Sequence, residues 1–246
     1  MSKAIINYLN IIHSKLQILE SKQDELNTIA NVCVEAILNK KNLFVFGASH
    51  AGIISEELTY RAGGLALFNP IFHASLMVNV TPITLTSELE KLPKLGEKII
   101  RASKLQEGDI LLLNSVSGRN PVVIDAALTA KSIGATVIGL TSVETSRMVT
   151  SKHPSGQLLI DIADHIIDNL CDYGDASVVL DGLVQKAAPL STVMGVTIVN
   201  SICLSISEKL LAKGIASPIL ASANIDGNET LNRAIFDEYA DNIHYL

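Results

Sequence analysis

The sequence predicts an α/β fold in which a parallel sheet carries helices on both faces. Two observations point to it. The apolar runs LFVF at 43–46, ILLL at 110–113 and ATVIGL at 135–140 show none of the alternation of a half-exposed strand, as expected of strands buried on both faces. Between these runs lie stretches with helix starts and stops. Strand and helix alternating in this way yield parallel pairing, because each return to the sheet needs a crossover. With 48% apolar and 18% charged residues among 246, the chain can bury a sizeable core, and it reads as one domain spanning 1–246.

The elements follow in order. From 4 to 40, apolar groups fall at Ile5, Leu9, Ile12, Leu16 and Leu19, then at Leu26, Ile29, Cys33 and Ile37, a helical stripe that residues 21–25 divide into two helices. The stripe either packs on the chain's own sheet or presents a heptad-like face to a second subunit. At 42–64 the first strand meets Gly47, Ala48, Ser49, His50, Ala51 and Gly52. A helical stretch follows, with Ile53, Ile54 and Leu58 on its apolar side and Glu56 and Glu57 near its middle. Strand, small-residue loop and helix place free N–H groups at the carboxyl end of a strand, a ready anion site.

Residues 65–72 predict a second strand with its exit at Asn69 and Pro70. Residues 79–95, with Pro82 and Pro93, read as a long irregular connection, and such connections are often functional. A short helix is expected at 97–105. The strand at 110–113 runs into NSVSGRNP, where Asn120 suits an N-cap and Pro121 the first helical position. That helix stops at Gly134. The strand at 135–140 ends on Thr141 and Ser142. A polar loop at 151–157, a short helix, a strand at 165–168 and a candidate strand at 177–180 come next. A long helix from Ser191 or Thr192 to Gly214 and a last helix over about 229–239 close the chain.

Composition restricts function. The net charge is −6, from 19 basic and 25 acidic residues, and no basic cluster stands out, so nucleic acid is not an expected partner. Cys33, Cys171 and Cys203 are far apart and form no CxxC, which argues against a disulfide framework or zinc site and fits a reducing cytoplasm. No signal-peptide pattern is present. The apolar stretch at 193–206 is interrupted by Asn200, Ser201 and Ser205 and reads as a buried helix, so no membrane association is expected.

The chemistry points to the two hydroxyl-rich loops that follow buried strands, one with Ser49 and His50, the other with Ser115, Ser117 and Gly118. In a parallel sheet both lie at the edge where ligands bind. Serine hydroxyls and successive backbone N–H groups are suitable phosphate donors; otherwise these serines only cap helices. GASHAG lacks the Lys-Ser/Thr of a P-loop, and no GxGxxG follows the first strand. Ser49 in G-x-S-x-A also fits a hydrolase nucleophile elbow, but that elbow normally follows several earlier strands.

The order FGASH (46–50), NSVSGRN (114–120), ATVIGLTS (135–142) and ADHIID (163–168) resembles the SIS (sugar isomerase) domain. SEELTYRAGG, SKHPSGQ, ADHIIDN, PLST and SANIDGNETLN further resemble a bacterial group of SIS proteins labelled phosphosugar isomerases, over nearly the whole chain. The resemblance implies a three-layer αβα sandwich around a five-stranded parallel sheet and a homodimer or homotetramer. It implies a phosphosugar ligand held by Ser49, Ser115, Ser117 and Asn120, the last standing where relatives often have threonine.

The EELT at 56–59 is similar to phosphoheptose isomerases, where the second glutamate is the catalytic base; that would be Glu57. The spacing from the serine loop is two residues shorter here, so Glu56 is an alternative, and an exposed helix glutamate is the plain one. Proton transfer beside a carbonyl needs a base and an acid. His50, His73 and His153 are the histidine candidates, whereas His165 and His244 read as structural or surface residues. The isomerases carry their histidine on a late helix; the helix at 191–213 here has none. The expected function is aldose–ketose isomerisation of a sugar phosphate, with no cofactor and no metal. The alternatives are a non-catalytic phosphosugar sensor and an etherase-type lyase.

Overall fold

The computed structural model describes residues 2–246. Two helices open the chain, α1 (Lys3–Ser21) and α2 (Gln23–Leu38), divided at Lys22. The strands β1 (Leu43–Gly47), β2 (Phe68–Pro70), β3 (Ile110–Asn114), β4 (Thr136–Thr141) and β5 (His165–Asp168) form one parallel sheet in the order β2-β1-β3-β4-β5. The chain leaves β1 towards β2 on one side and returns on the other through β3, so the strand order reverses between β1 and β3.

Successive strand residues point to opposite faces, and this builds the layers. Leu43, Val45, Ile110, Leu112, Ile138 and Leu140 pack under α2 and the long helix α9 (Ser191–Ala212), with Leu26, Ile29, Cys33, Ile198, Ile202 and Ile206. Phe44, Phe46, Leu111, Leu113 and Val137 face the other way, onto α5 (Leu95–Ala102) and α6 (Pro121–Ile133), with Ile100, Val122, Ala126 and Leu159. The result is a three-layer αβα sandwich. Although α9 is long and apolar enough to cross a membrane, over half of its most apolar window is buried in this core. Its apolar side meets the sheet, as the sequence reading expected.

The N-terminal stripe packs on the chain's own core only in part. Its second half lies in the core through Leu26, Ile29 and Cys33, while Ile5, Ile6 and Leu9 on α1 are exposed. Tyr8 Oη donates to the Pro189 carbonyl at 2.7 Å, and Lys15 pairs with Asp172, so α1 is tethered despite its exposed face. At the other end of the chain, Asn69 on edge strand β2 donates to the Asn242 carbonyl and accepts from the His244 N–H, so the tail covers that edge.

Three elements differ from expectation. The helical stretch after β1 is a 3₁₀ turn at Ser49–Gly52 followed by a five-residue α3 (Ile53–Glu57), so Glu57 ends the helix. Tyr60, at φ 44°, turns the chain away just beyond it. Within the connection at 79–95 lies a further helix, α4 (Thr84–Leu89). The strand near 177–180 is β6 (Ala176–Val178), and it pairs antiparallel with β7 (Ala187–Pro189) outside the main sheet. The segment from Asp168 to Ala176 is too short for the crossover that a sixth parallel strand requires. The remaining helices are α7 (Val143–Met148), α8 (Leu159–Ile162) and α10 (Asn228–Glu238).

Candidate functional site

The two serine loops meet where the strand order reverses, a crevice that open parallel sheets use for ligands. β1 and β3 run side by side in register, Gly47 opposite Asn114, so their carboxyl ends leave the sheet together. Asn114 Nδ2 donates to the Ala51 carbonyl at 2.9 Å and ties one loop to the other. Gly47 is required there because a Cβ would lie 2.5 Å from that same Ala51 oxygen. The turn closes back on the strand, which brings Ser49 over the edge of the sheet at φ 56°.

The second loop is held from below. Ser115 Oγ accepts from the Gly118 N–H at 3.2 Å, and the Val116 carbonyl accepts from Thr141 Oγ1 and the Ser142 N–H. Ser146 Oγ donates to the Ser117 carbonyl at 3.2 Å. Gly118 turns at φ 59° against Leu159, and its carbonyl accepts from the Leu159 N–H. These bonds fix the loop backbone from the β4 side and engage none of the Ser117 hydroxyl's capacity. Asn120 caps α6 by position but not by side-chain hydrogen bond; its Oδ1 is buried without a partner, as is Arg119 Nε. Two buried polar atoms left unpaired beside the serine loops are costly unless something else meets them.

Above the loops stands the segment from 84 to 94. Thr86, buried, pairs its hydroxyl with Ser49 Oγ. Ser49 Oγ also lies 3.5 Å from Glu90 Oε2, and the Glu90 carbonyl accepts from the Val122 N–H in the first turn of α6. Burial pushes the Glu90 carboxyl above the ordinary carboxylate range, while the Asn120 side chain, Lys91, Lys152 and Ser49 pull the other way. Sequence reasoning marked the connection at 79–95 as functional but named no residue within it. Thr86 and Glu90, which meet Ser49, lie within it, and only its length pointed to them; Arg119 lies in the second serine loop.

The acid–base candidates are placed as follows. Glu57 Oε1 accepts from Asn200 Nδ2 on α9 at 2.7 Å and pairs with Arg61. Glu56 and His50 are exposed. His153 places Nε2 3.1 Å from Asp125 Oδ1 and Nδ1 2.8 Å from Ser155 Oγ, so both ring nitrogens are engaged. His73 pairs with Ser75 and lines a cavity of about 290 Å³ beside β2, with Lys104 and His244. Among the described residues no cluster of His, Cys, Asp and Glu has the grouping of a metal site. The three cysteines are buried as free thiols with their pKa pushed up to about 12, chiefly by burial.

This sheet and its paired serine loops define the class of protein. Residues 7–142 match the SIS domain model, and the chain belongs to the SIS domain family. Its curated relatives are UPF0309 proteins: one from Oceanobacillus iheyensis is 47% identical and one from Shouchella clausii 46% identical, each alignment covering 97% of both chains. Among solved structures, the phosphoheptose isomerase of Francisella tularensis shares the fold at a TM-score of 0.50 and 16% identity, over 84% of this chain and all of that one. The phosphoheptose isomerase of Neisseria gonorrhoeae does so at 0.51 and 15%, over 82% of this chain and 94% of that one.

Proposed function

We propose that this protein binds a sugar phosphate, with the phosphate seated between the two serine loops. The side chains of Ser49, Ser115, Ser117 and Asn120 are its donors in this reading, with Gly118 shaping the second loop around it. The observation that carries it is the joining of the two loops at the strand reversal, with a buried donor, Arg119 Nε, left unpaired beside them. The SIS family assignment and the phosphoheptose isomerases among the proteins of like fold support a sugar phosphate over another anion.

The reaction we propose is aldose–ketose isomerisation. A non-catalytic binding protein is the second reading, and one observation favours it: Glu57, the glutamate that the resemblance offers as base, is held by Arg61 and Asn200. We further propose that the chain assembles as a dimer or tetramer through the exposed face of α1. A thermal-shift screen with pentose, hexose, heptose and amino-sugar phosphates tests the binding reading. A bound ligand stabilises the fold by mass action, by about 2.7 kcal/mol at a hundred times Kd, and so raises the melting temperature. Several degrees of shift with at least one sugar phosphate are expected; no shift across the panel contradicts it.

A further inference from the structure

Resting on the sugar-phosphate reading, we infer that Glu90 shares a proton with the bound phosphate. The seat then takes a phosphate monoester together with one proton and discriminates against an anion that cannot carry it. Glu90 lies just past the end of α4. Its N–H donates to the Thr86 carbonyl at 3.0 Å, and its own carbonyl accepts from the Val122 N–H at 3.1 Å. The backbone is thereby pinned to the start of the helix that follows the second serine loop. The side chain turns to the loops themselves. Its Oε2 lies 3.5 Å from Ser49 Oγ in the first loop, and the carboxyl accepts from the Asn120 amide at the end of the second. Ser49 and Asn120 are phosphate donors in the proposed reading, so a phosphate on them has the Glu90 carboxyl as its neighbour. The charged groups facing that carboxyl are Lys91 on its own segment and Lys152 on the loop after α7. Thr86 pairs with Ser49 and closes the same corner.

An ionised carboxylate and a phosphate dianion both only accept hydrogen bonds, and two such groups in contact repel. One proton between them turns the contact into a charge-assisted O–H···O⁻ hydrogen bond, one of the strong kind. A phosphate monoester can carry that proton, because its second pKa is about 6. Burial holds the Glu90 carboxyl above the ordinary glutamate range and so brings it towards that of the phosphate. The two groups then hold a proton on comparable terms, and one proton serves both. A sulfate monoester has the same tetrahedral shape but carries no proton near neutral pH. It meets Glu90 only where the carboxyl itself takes up the proton, without help from the anion.

The test is calorimetric titration with a sugar phosphate that shifts the melting temperature, at about pH 8, where the free monoester is a dianion. Two buffers of different ionisation enthalpy report the protons taken up. Wild type is expected to take up close to one proton per sugar phosphate bound, and its Kd to weaken roughly tenfold for each pH unit above neutral. Glu90→Gln, whose amide donates to a phosphate oxygen directly, should bind with little proton uptake and nearly constant affinity over the same range. The sulfate ester of the same sugar should bind wild type more weakly than the phosphate does. That gap should narrow by roughly tenfold in Glu90→Gln. Glu88→Gln removes the same charge from the exposed side of α4 and should behave as wild type. A purely structural role for Glu90 moves neither the proton count nor the preference for phosphate. Binding without proton uptake in wild type, equal uptake in Glu90→Gln, or an unchanged preference for phosphate over sulfate in that variant overturns the shared proton and leaves the sugar-phosphate reading standing. No melting shift with any sugar phosphate overturns both.

Discussion

Asn114, the last residue of β3, donates its side-chain amide to the carbonyl of Ala51 in the turn after β1, at 2.9 Å. One partly buried hydrogen bond therefore joins the two loops that the sequence marks for phosphate. Asn114→Leu keeps the volume but removes the donor and sets an apolar group against the Ala51 carbonyl, which retains its bond from the Ile53 N–H. A loss of about 1–3 kcal/mol in urea unfolding is expected, together with weaker sugar-phosphate binding. Unchanged stability and affinity would show that the loops do not depend on this tie.

Gly118 gives a second prediction. Its φ is +59°, and a Cβ would lie 2.8 Å from Leu159 Cβ. Gly156 has a similar φ, +73°, with nothing within 4 Å. Alanine costs about 1–2 kcal/mol in left-handed backbone at either place, and only Gly118→Ala adds a collision inside the core. Denaturation midpoints should fall further for Gly118→Ala than for Gly156→Ala. Equal losses would mean that the second loop has room to shift.

Glu90 carries a signed dependence on pH. Burial raises its folded pKa, with Asn120, Lys91, Lys152 and Ser49 opposing. The folded state then holds a proton that the unfolded chain releases earlier, so this group's contribution is present below the unfolded pKa and is lost as pH rises through the folded one. Glu90→Gln stays neutral throughout. It should be more stable than wild type at pH 7, with the difference closing below about pH 4, under the ordinary glutamate pKa. A variant less stable than wild type at neutral pH would contradict the sign.

The exposed Ile5, Ile6 and Leu9 on α1 lead to a fourth expectation. Light scattering at micromolar concentration should give at least twice 26.3 kDa, and Ile5→Glu with Leu9→Glu should shift the protein towards monomer. A monomeric wild type removes the oligomer from the account.

The sheet was legible because its strands are short uninterrupted apolar runs, and β1, β3 and β4 fall where LFVF, ILLL and ATVIGL place them. Asn120, Pro121 and Gly134 bound α6 by local backbone chemistry, and local chemistry is what a single sequence states most clearly. What the sequence does not state is tertiary. Nothing near Glu57 announces that Tyr60 turns the chain and that Asn200, far along it, takes the carboxylate. Thr86 and Glu90 sit in a stretch of mixed polarity broken by prolines. Their meeting with Ser49 and the start of α6 is a matter of packing, with no periodic signal to reveal it.

The seating of a phosphate on the serine loops is tested most directly by comparing a sugar phosphate that shifts the melting temperature with the same sugar lacking the phosphate. Calorimetric titration of both should be made on wild type and on Ser117→Ala. The Ser117 hydroxyl is a candidate donor to a charged group, worth about 1.5–3 kcal/mol. The account predicts a roughly ten- to hundredfold weaker Kd for the sugar phosphate in Ser117→Ala, with any binding of the free sugar unchanged. Equal weakening for both sugars, or full affinity for the sugar phosphate in the variant, would contradict it.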